Sequence, residues 1–257
     1  MQFYKYQGTG NDFILIDDRA GTFPAADQAL IEQLCHRRFG IGADGLILLQ
    51  NDPEYDFRMV YFNADGAEGS MCGNGGRCIV RFAHDLGLFE SETRFVAVDG
   101  EHVAEVRDDE VFLKMIDVNG LDQQPQMTFL NTGSPHVVRF VDELESFDVL
   151  AEGRAVRYAD AFQPGGTNAN FAQRLTDNTL FVRTYERGVE DETYSCGTGV
   201  TAVALVAHQQ LQMPGPVAIQ TIGGNLRVSF EAQSGGRFEN IYLIGPAKRV
   251  FTGEIDL

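Results

Sequence analysis

Two cysteines stand in matched surroundings. Cys72-Gly73-Asn74-Gly75 recurs as Cys196-Gly197-Thr198-Gly199, 124 positions later (196 − 72). At the same offset Tyr61 meets Tyr185, His84 meets His208 and Gly100 meets Gly224; one position off that register, Gly10-Asn11 meets Gly133-Ser134. A cysteine just ahead of a helix sits where first-turn N–H groups lack intrahelical partners and carry partial positive charge. That environment favours a thiolate over the ordinary thiol and offers the same N–H groups to a carboxylate. Gly73 and Gly197 let a ligand approach the backbone, and Asn74 and Thr198 are residue types that cap helix starts.

Two such motifs facing each other could hold one amino-acid carboxylate between two helix N-termini, with the α-carbon between Cys72 and Cys196. A thiolate on one face would remove the α-proton and the thiol opposite would deliver one, which is stereoinversion by two bases. With no electron sink, stabilisation of the enolate-like charge falls to the helix dipoles and to exclusion of water. Either cysteine alone reads as a small buried hydrophobe; the repeated context turns both toward function. Cys78, inside the helix, and Cys35, on the apolar face of an earlier one, read as packing. His84 and His208, about three turns beyond the motif, read as structural.

Other chemistries find no support. The lysines, Lys5, Lys114 and Lys248, lie outside glycine-rich loops, so a pyridoxal phosphate Schiff base has no candidate. Cys72 and Cys78 are six apart (78 − 72) and lack the spacing and ligand count of a zinc site. No metal and no cofactor are expected. A net charge of −17 disfavours nucleic acid and anionic membrane surfaces as partners, and no apolar run is long enough for a membrane span. The start Met-Gln-Phe-Tyr-Lys shows no export signal. Four cysteines without such a signal point to a reducing, cytoplasmic setting.

The elements that must carry these residues repeat as well. Strands are expected at 3–6, 13–17, 46–49, 56–62, 95–98, 102–106 and 111–115, with helices at 26–37 and 76–86. The second half predicts strands at 127–130, 136–141, 170–173, 180–186, 217–221, 226–230 and 238–244, with helices at 148–158 and 199–211. Val200–Ala207 is apolar on every side and must be enclosed; its small residues suit a sheet wrapped around it. The expected fold is α+β, each half a curved, mainly antiparallel sheet around a central apolar helix. The seam falls near Asn119-Gly120, giving halves 1–118, completed by 250–257, and 119–249.

The residues also resemble those of the diaminopimelate epimerase family over essentially the whole chain. The matching segments, in the family's order, are Gly8-Thr9-Gly10-Asn11-Asp12-Phe13, Gly40-Ile41-Gly42-Ala43-Asp44-Gly45, Phe62-Asn63-Ala64-Asp65-Gly66, Cys72-Gly73-Asn74-Gly75, Gly133-Ser134-Pro135-His136, Thr167-Asn168-Ala169, Tyr185-Glu186-Arg187-Gly188 and Cys196-Gly197-Thr198-Gly199. The resemblance implies cofactor-independent interconversion of LL- and meso-2,6-diaminopimelate, toward lysine and peptidoglycan, by two pseudosymmetric domains. It also implies a homodimer. It assigns Cys72 and Cys196 as acid and base, with Glu186 and His136 beside them. Gly73, Asn74, Gly197 and Thr198 would hold the reacting carboxylate. Asn11, Asn63, Asn168, Glu186 and Arg187 would contact substrate, Arg187 at the distal carboxylate, where a guanidinium fork suits a second acid. Gly45 and Ser134 depart from the family pattern, where glutamine and asparagine are common. A two-thiol racemase of proline-like amino acids and a non-catalytic amino-acid binding protein are the competing readings; Arg187 with the asparagine set argues against the first, both cysteines against the second.

Overall fold

The computed structural model describes residues 1–69 and 71–256. The chain forms two compact units, Met1–Leu113 with Gly245–Leu257, and Lys114–Ile244.

The first unit runs β1 (Gln2–Gly8), β2 (Asn11–Asp17), α1 (Gln28–Cys35), β3 (Gly45–Gln50), β4 (Phe57–Asn63), α2 (Gly73–Asp85), β5 (Glu92–Ala97), β6 (Gly100–Arg107) and β7 (Glu110–Lys114). A tight turn joins β1 to β2, with positive φ at Thr9 (50°) and Gly10 (86°), the type I′ geometry that matches strand twist. β2 pairs parallel with β3 across α1, and β4 pairs parallel with β5 across α2; the remaining neighbours β1–β2, β3–β4, β5–β6 and β6–β7 are antiparallel. Parallel neighbours require a crossover element, and the two helices supply it. β2 and β3 are apolar on both faces because both are covered. Ile14, Ile16, Leu46 and Leu48 pack with α1 through Ile31, Leu34 and Cys35, while Phe13 and Ile47 face Gly75 of α2.

The second unit opens with two short pairings, β8 (Val118–Asn119) and β9 (Asp122–Gln123), then repeats that order. It runs β10 (Thr128–Asn131), β11 (Pro135–Phe140), α3 (Val149–Arg157), β12 (Asn168–Thr176), β13 (Thr179–Glu186), β14 (Asp191–Thr193), α4 (Gly197–Leu211), β15 (Val217–Thr221), β16 (Gly224–Ala232) and β17 (Arg237–Pro246). β11–β12 and β13–β15 are the parallel pairs, and the other sequential neighbours are antiparallel. The sequence repeat is therefore a repeat of strand pairing. α4 is buried from Val200 to Ala207 among Val138, Val182, Val217, Leu226, Phe238 and Leu243, as its all-round apolar surface requires. β18 (Lys248–Glu254) pairs antiparallel with β1 and completes the first unit.

The predicted elements recur with shifted ends. Both central helices start earlier than periodicity indicates, at Gly73 and Gly197, because glycine carries no hydrophobic signal. β8, β9 and β14 are too short for any period to show. α2 also differs from an apolar helix: within its buried stretch lies Arg77, at 0 % exposure.

Candidate active site

The helix starts place the cysteines first. Cys72 is the N-cap of α2 and Cys196 the N-cap of α4, with similar extended backbone angles (φ −106°, ψ 126° and φ −116°, ψ 113°). Neither makes a side-chain capping bond to its helix. Asn74 and Thr198, read from sequence as caps, instead occupy the second helical position. The first intrahelical bonds are Gly76 N to Cys72 O at 2.7 Å and Val200 N to Cys196 O at 2.9 Å. The N–H groups of residues 73–75 and 197–199 precede them and lack intrahelical partners, the arrangement that binds anions.

Around Cys72 the first unit builds an amide network. The Cys72 thiol lies 3.7 Å from Asn11 Oδ1, which also accepts from Asn74 Nδ2 at 3.3 Å. Asn11 Nδ2 donates to Asp44 Oδ2 at 2.6 Å. Asp44 and Asp12 share Arg37, whose Nη2 lies 2.6 Å from each carboxylate, and Lys5 pairs with Asp12 at 2.6 Å. Burial works against the charge on Asp12, but hydrogen bonds from Arg37 and Lys5 outweigh it and hold the carboxyl down to about 2. Both Asn11 oxygen and nitrogen are thus oriented from outside. Asn63, exposed at the end of β4, is across from Gly45, which pairs with Phe13 of β2. Asn11, Gly45 and Asn63 therefore share one end of the sheet.

Around Cys196 the second unit builds a hydroxyl and imidazole network. Cys196 Sγ lies 3.5 Å from Thr198 Oγ1, and that oxygen lies 2.9 Å from His136 Nε2. Ser134 Oγ is also 2.9 Å from His136 Nε2 and accepts from Asn168 Nδ2 at 3.2 Å. Asn170 Nδ2 donates to His136 Nδ1 at 3.1 Å, while its Oδ1 accepts from Thr184. This network assigns the tautomer: Nδ1 accepts and Nε2 carries the proton. Burial, reinforced by the charge on Arg187, lowers His136 to about 3, despite the Asn170 bond. His136 is neutral at physiological pH, and it reaches Cys196 through Thr198. His136, Asn168 and Glu186 lie at the matching ends of β11, β12 and β13. Asn168 Oδ1 accepts from the Arg187 backbone N–H at 2.8 Å, and Arg187 Nη1 donates to Gly165 O at 3.3 Å. Glu186 and Arg187 are half-buried.

Three features escaped the sequence reading. Arg77 is buried beneath the head of α2, donating to Thr9 Oγ1 and Asn74 Oδ1 at 3.0 Å each. Its signal was available: the matched position of the repeat, 124 further on (77 + 124), is Thr201. Asn170 is the second, a buried amide beneath His136. The third is the neighbourhood of Gly45, where a Cβ would meet Phe62 O at 2.5 Å and the Tyr61 ring at 2.6 Å. The ring fills the space that the family resemblance would give to a side chain. At the other departure, Ser134 keeps polar contacts to both His136 and Asn168. Cys35 and Cys78 are buried in packing positions, as expected. His208 bonds Met213 O at 2.9 Å and meets Phe230 and Phe238 edge-to-face, and His84 packs edge-to-face on Phe89.

Known structures share this architecture. A Bacillus anthracis phenazine biosynthesis protein of the PhzF family matches with a TM-score of 0.78 at 13% identity, over 100% of this chain and 99% of that one. A hydroxyproline epimerase from Agrobacterium vitis matches with a TM-score of 0.70 at 16% identity, over 98% and 91%. At such identities the likeness is one of fold, and it defines the class: the PhzF and proline-racemase-like α+β fold. Sequence narrows the class. The diaminopimelate epimerase family model matches residues 3–118 and 128–250. Diaminopimelate epimerases of Flavobacterium psychrophilum and Aquifex aeolicus are 50% and 38% identical, covering 98% and 99% of this chain and 98% of each relative. The chain belongs to the diaminopimelate epimerase family.

Proposed function

We propose that this protein interconverts LL- and meso-2,6-diaminopimelate without a cofactor, by proton transfer between two cysteines. Family membership makes it an isomerase, an amino-acid epimerase. The observation carrying the finer reading is that each repeat sets a cysteine at the N-cap of a buried helix with a polar network ordered around it. In this reading the α-carboxylate binds the N–H groups of Gly73, Asn74, Gly197 and Thr198. One sulfur, as thiolate, takes the α-proton, and the electron pair left on carbon spreads into that carboxylate. The opposite thiol gives its proton to the other face and becomes the thiolate. No proton is consumed, and the two sulfurs exchange charge. Preorganised donors aimed at such developing charge contribute about 3–4 kcal/mol each.

The remaining residues bind and orient. Arg187 suits the distal carboxylate, and Asn11, Asn63, Asn168 and Glu186 suit the ammonium groups and carboxylate edges. His136 acts as a neutral group that fixes the Thr198 hydroxyl beside Cys196. The reaction belongs to lysine and peptidoglycan precursor synthesis in the cytoplasm. The test is incubation with LL-diaminopimelate in deuterated water. Deuterium entering the α-position with formation of the meso isomer supports the reading; exchange of proline instead, or no exchange at all, refutes it.

A further inference from the structure

Arg77 is a permanent charge enclosed in the protein, with no carboxylate paired to it among the described residues. Its side chain is fully buried on α2, and Nη2 donates to Thr9 Oγ1 and Asn74 Oδ1 while Nη1 reaches Gly73 O at 3.4 Å. Its Nε has no hydrogen-bond partner, and among the described residues no acid pairs with it. β1 comes so close that a Cβ on Gly8 would lie 3.3 Å from Nη2. A buried guanidinium with only neutral partners is costly, and burial lowers Arg77 only to about 10, so it stays charged at neutral pH. The anion that repays this arrangement must come from the head of α2.

The surrounding charges do not supply it. α2 packs against β1, β2, β3, β6 and β18. Lys5 and Arg37 are matched by Asp12 and Asp44. Arg81 pairs with Asp85, beside which His84 lies, and on β6 His102 pairs with Asp99, Glu101 with Arg94 and Glu105 with Arg107. β3 carries no charge, and Lys248 and Arg249 on β18 are exposed. Cys78 is pushed up to about 12 by burial and stays a neutral thiol. With Cys78 neutral, Cys72 is the remaining thiol whose negative charge would offset the effect of burial on Arg77. In the second unit the matched residue is Thr201, whose hydroxyl donates to Gly197 O at 2.9 Å. There the buried group beside the helix head is the neutral His136, and the charged Glu186 and Arg187 are half-buried and of opposite sign.

We propose that Arg77 is a positioning residue that breaks the symmetry of the repeat: its buried charge favours the Cys72 thiolate, so that Cys72 is the base of the resting protein and Cys196 the acid. The proposal rests on the two-thiol reading above, but it concerns thiol reactivity and is tested without substrate. Iodoacetamide alkylation of each cysteine is followed by peptide mass spectrometry across pH in parent, Arg77→Gln and Arg77→Lys proteins. In the parent, Cys72 should alkylate with a lower midpoint than Cys196. Arg77→Gln should raise the Cys72 midpoint by about 1–3 pH units and leave Cys196 in place. Arg77→Lys, which keeps the charge but loses the fork to Thr9 and Asn74, should leave the Cys72 midpoint near the parent's while lowering thermal stability. A Cys72 midpoint unmoved in Arg77→Gln, or both cysteines moving together, overturns the proposal. If Arg77→Gln does not fold, the parent decides, because a Cys72 midpoint at or above that of Cys196 also overturns it. Absence of epimerisation with the Cys72 shift present would refute the reaction and leave this inference standing.

Discussion

Thr198→Val removes one hydroxyl and keeps the shape of the side chain. That hydroxyl is 2.9 Å from His136 Nε2 and 3.5 Å from Cys196 Sγ. His136 stays satisfied in the variant, because Ser134 Oγ is also 2.9 Å from Nε2. The backbone carbonyl of Thr198, which accepts from Thr132 at 2.9 Å, is untouched. The loss therefore falls on Cys196. A hydrogen bond to a charged group is worth about 1.5–3 kcal/mol, so the thiolate state becomes about 10- to 150-fold less accessible. Because the equilibrium between the isomers is a property of the substrates, kcat/KM must fall by the same factor in both directions. The loss should shrink as pH rises past the raised Cys196 midpoint. The assay is kcat/KM against pH, starting from LL- and from meso-diaminopimelate. A folded variant within twofold of the parent at neutral pH would refute the relay from His136 through Thr198.

Further outcomes follow from the same contacts. In Gly199→Ala the new Cβ would lie 2.3 Å from Asn170 Oδ1, pushing that amide off His136; overpacking of this kind costs about 1–3 kcal/mol, and denaturant midpoint and kcat should fall together. Gly45→Ala, facing Phe62 O and the Tyr61 ring, should lower stability by a similar amount, measured by chemical denaturation. His136 has a folded value of about 3 against 6.5 when free. The unfolded chain therefore binds the extra proton between these values, and stability falls as pH drops through that window. From about pH 7 to about pH 5 this one group should account for about 2 kcal/mol of lost stability. His136→Gln should flatten that slope in matched denaturation curves, and an unchanged slope would contradict the burial argument.

Much of this was legible from sequence for identifiable reasons. Val200–Ala207 announced an enclosed helix because no face of it is polar, and the matched C-G-x-G segments marked the neighbourhood of both helix starts, although the predicted starts at 76 and 199 fall inside helices that begin at Gly73 and Gly197. The networks around them were not legible. Asn11 is ordered through Asp44 and Arg37, and Arg37 lies just beyond the observed end of α1, inside the stretch predicted as helix. His136 was placed beside the cysteines only through the family resemblance, since its partners Thr198 and Asn170 come from elements far apart in sequence. Arg77 was not legible because arginine is rarely fully buried, and only the comparison with Thr201 singles it out. Periodicity reports which face is buried; it does not report which polar groups are buried together.

The central claim is that both helix-capping cysteines take part in one proton exchange. Neither caps its helix through its side chain, so alanine at either position removes the sulfur and spares the fold. The decisive measurement is the initial rate of epimerisation by Cys72→Ala and by Cys196→Ala. Each change alone should lower the rate by at least about 10²- to 10⁴-fold, the contribution of a positioned acid or base; full turnover surviving in either protein would contradict the two-thiol account.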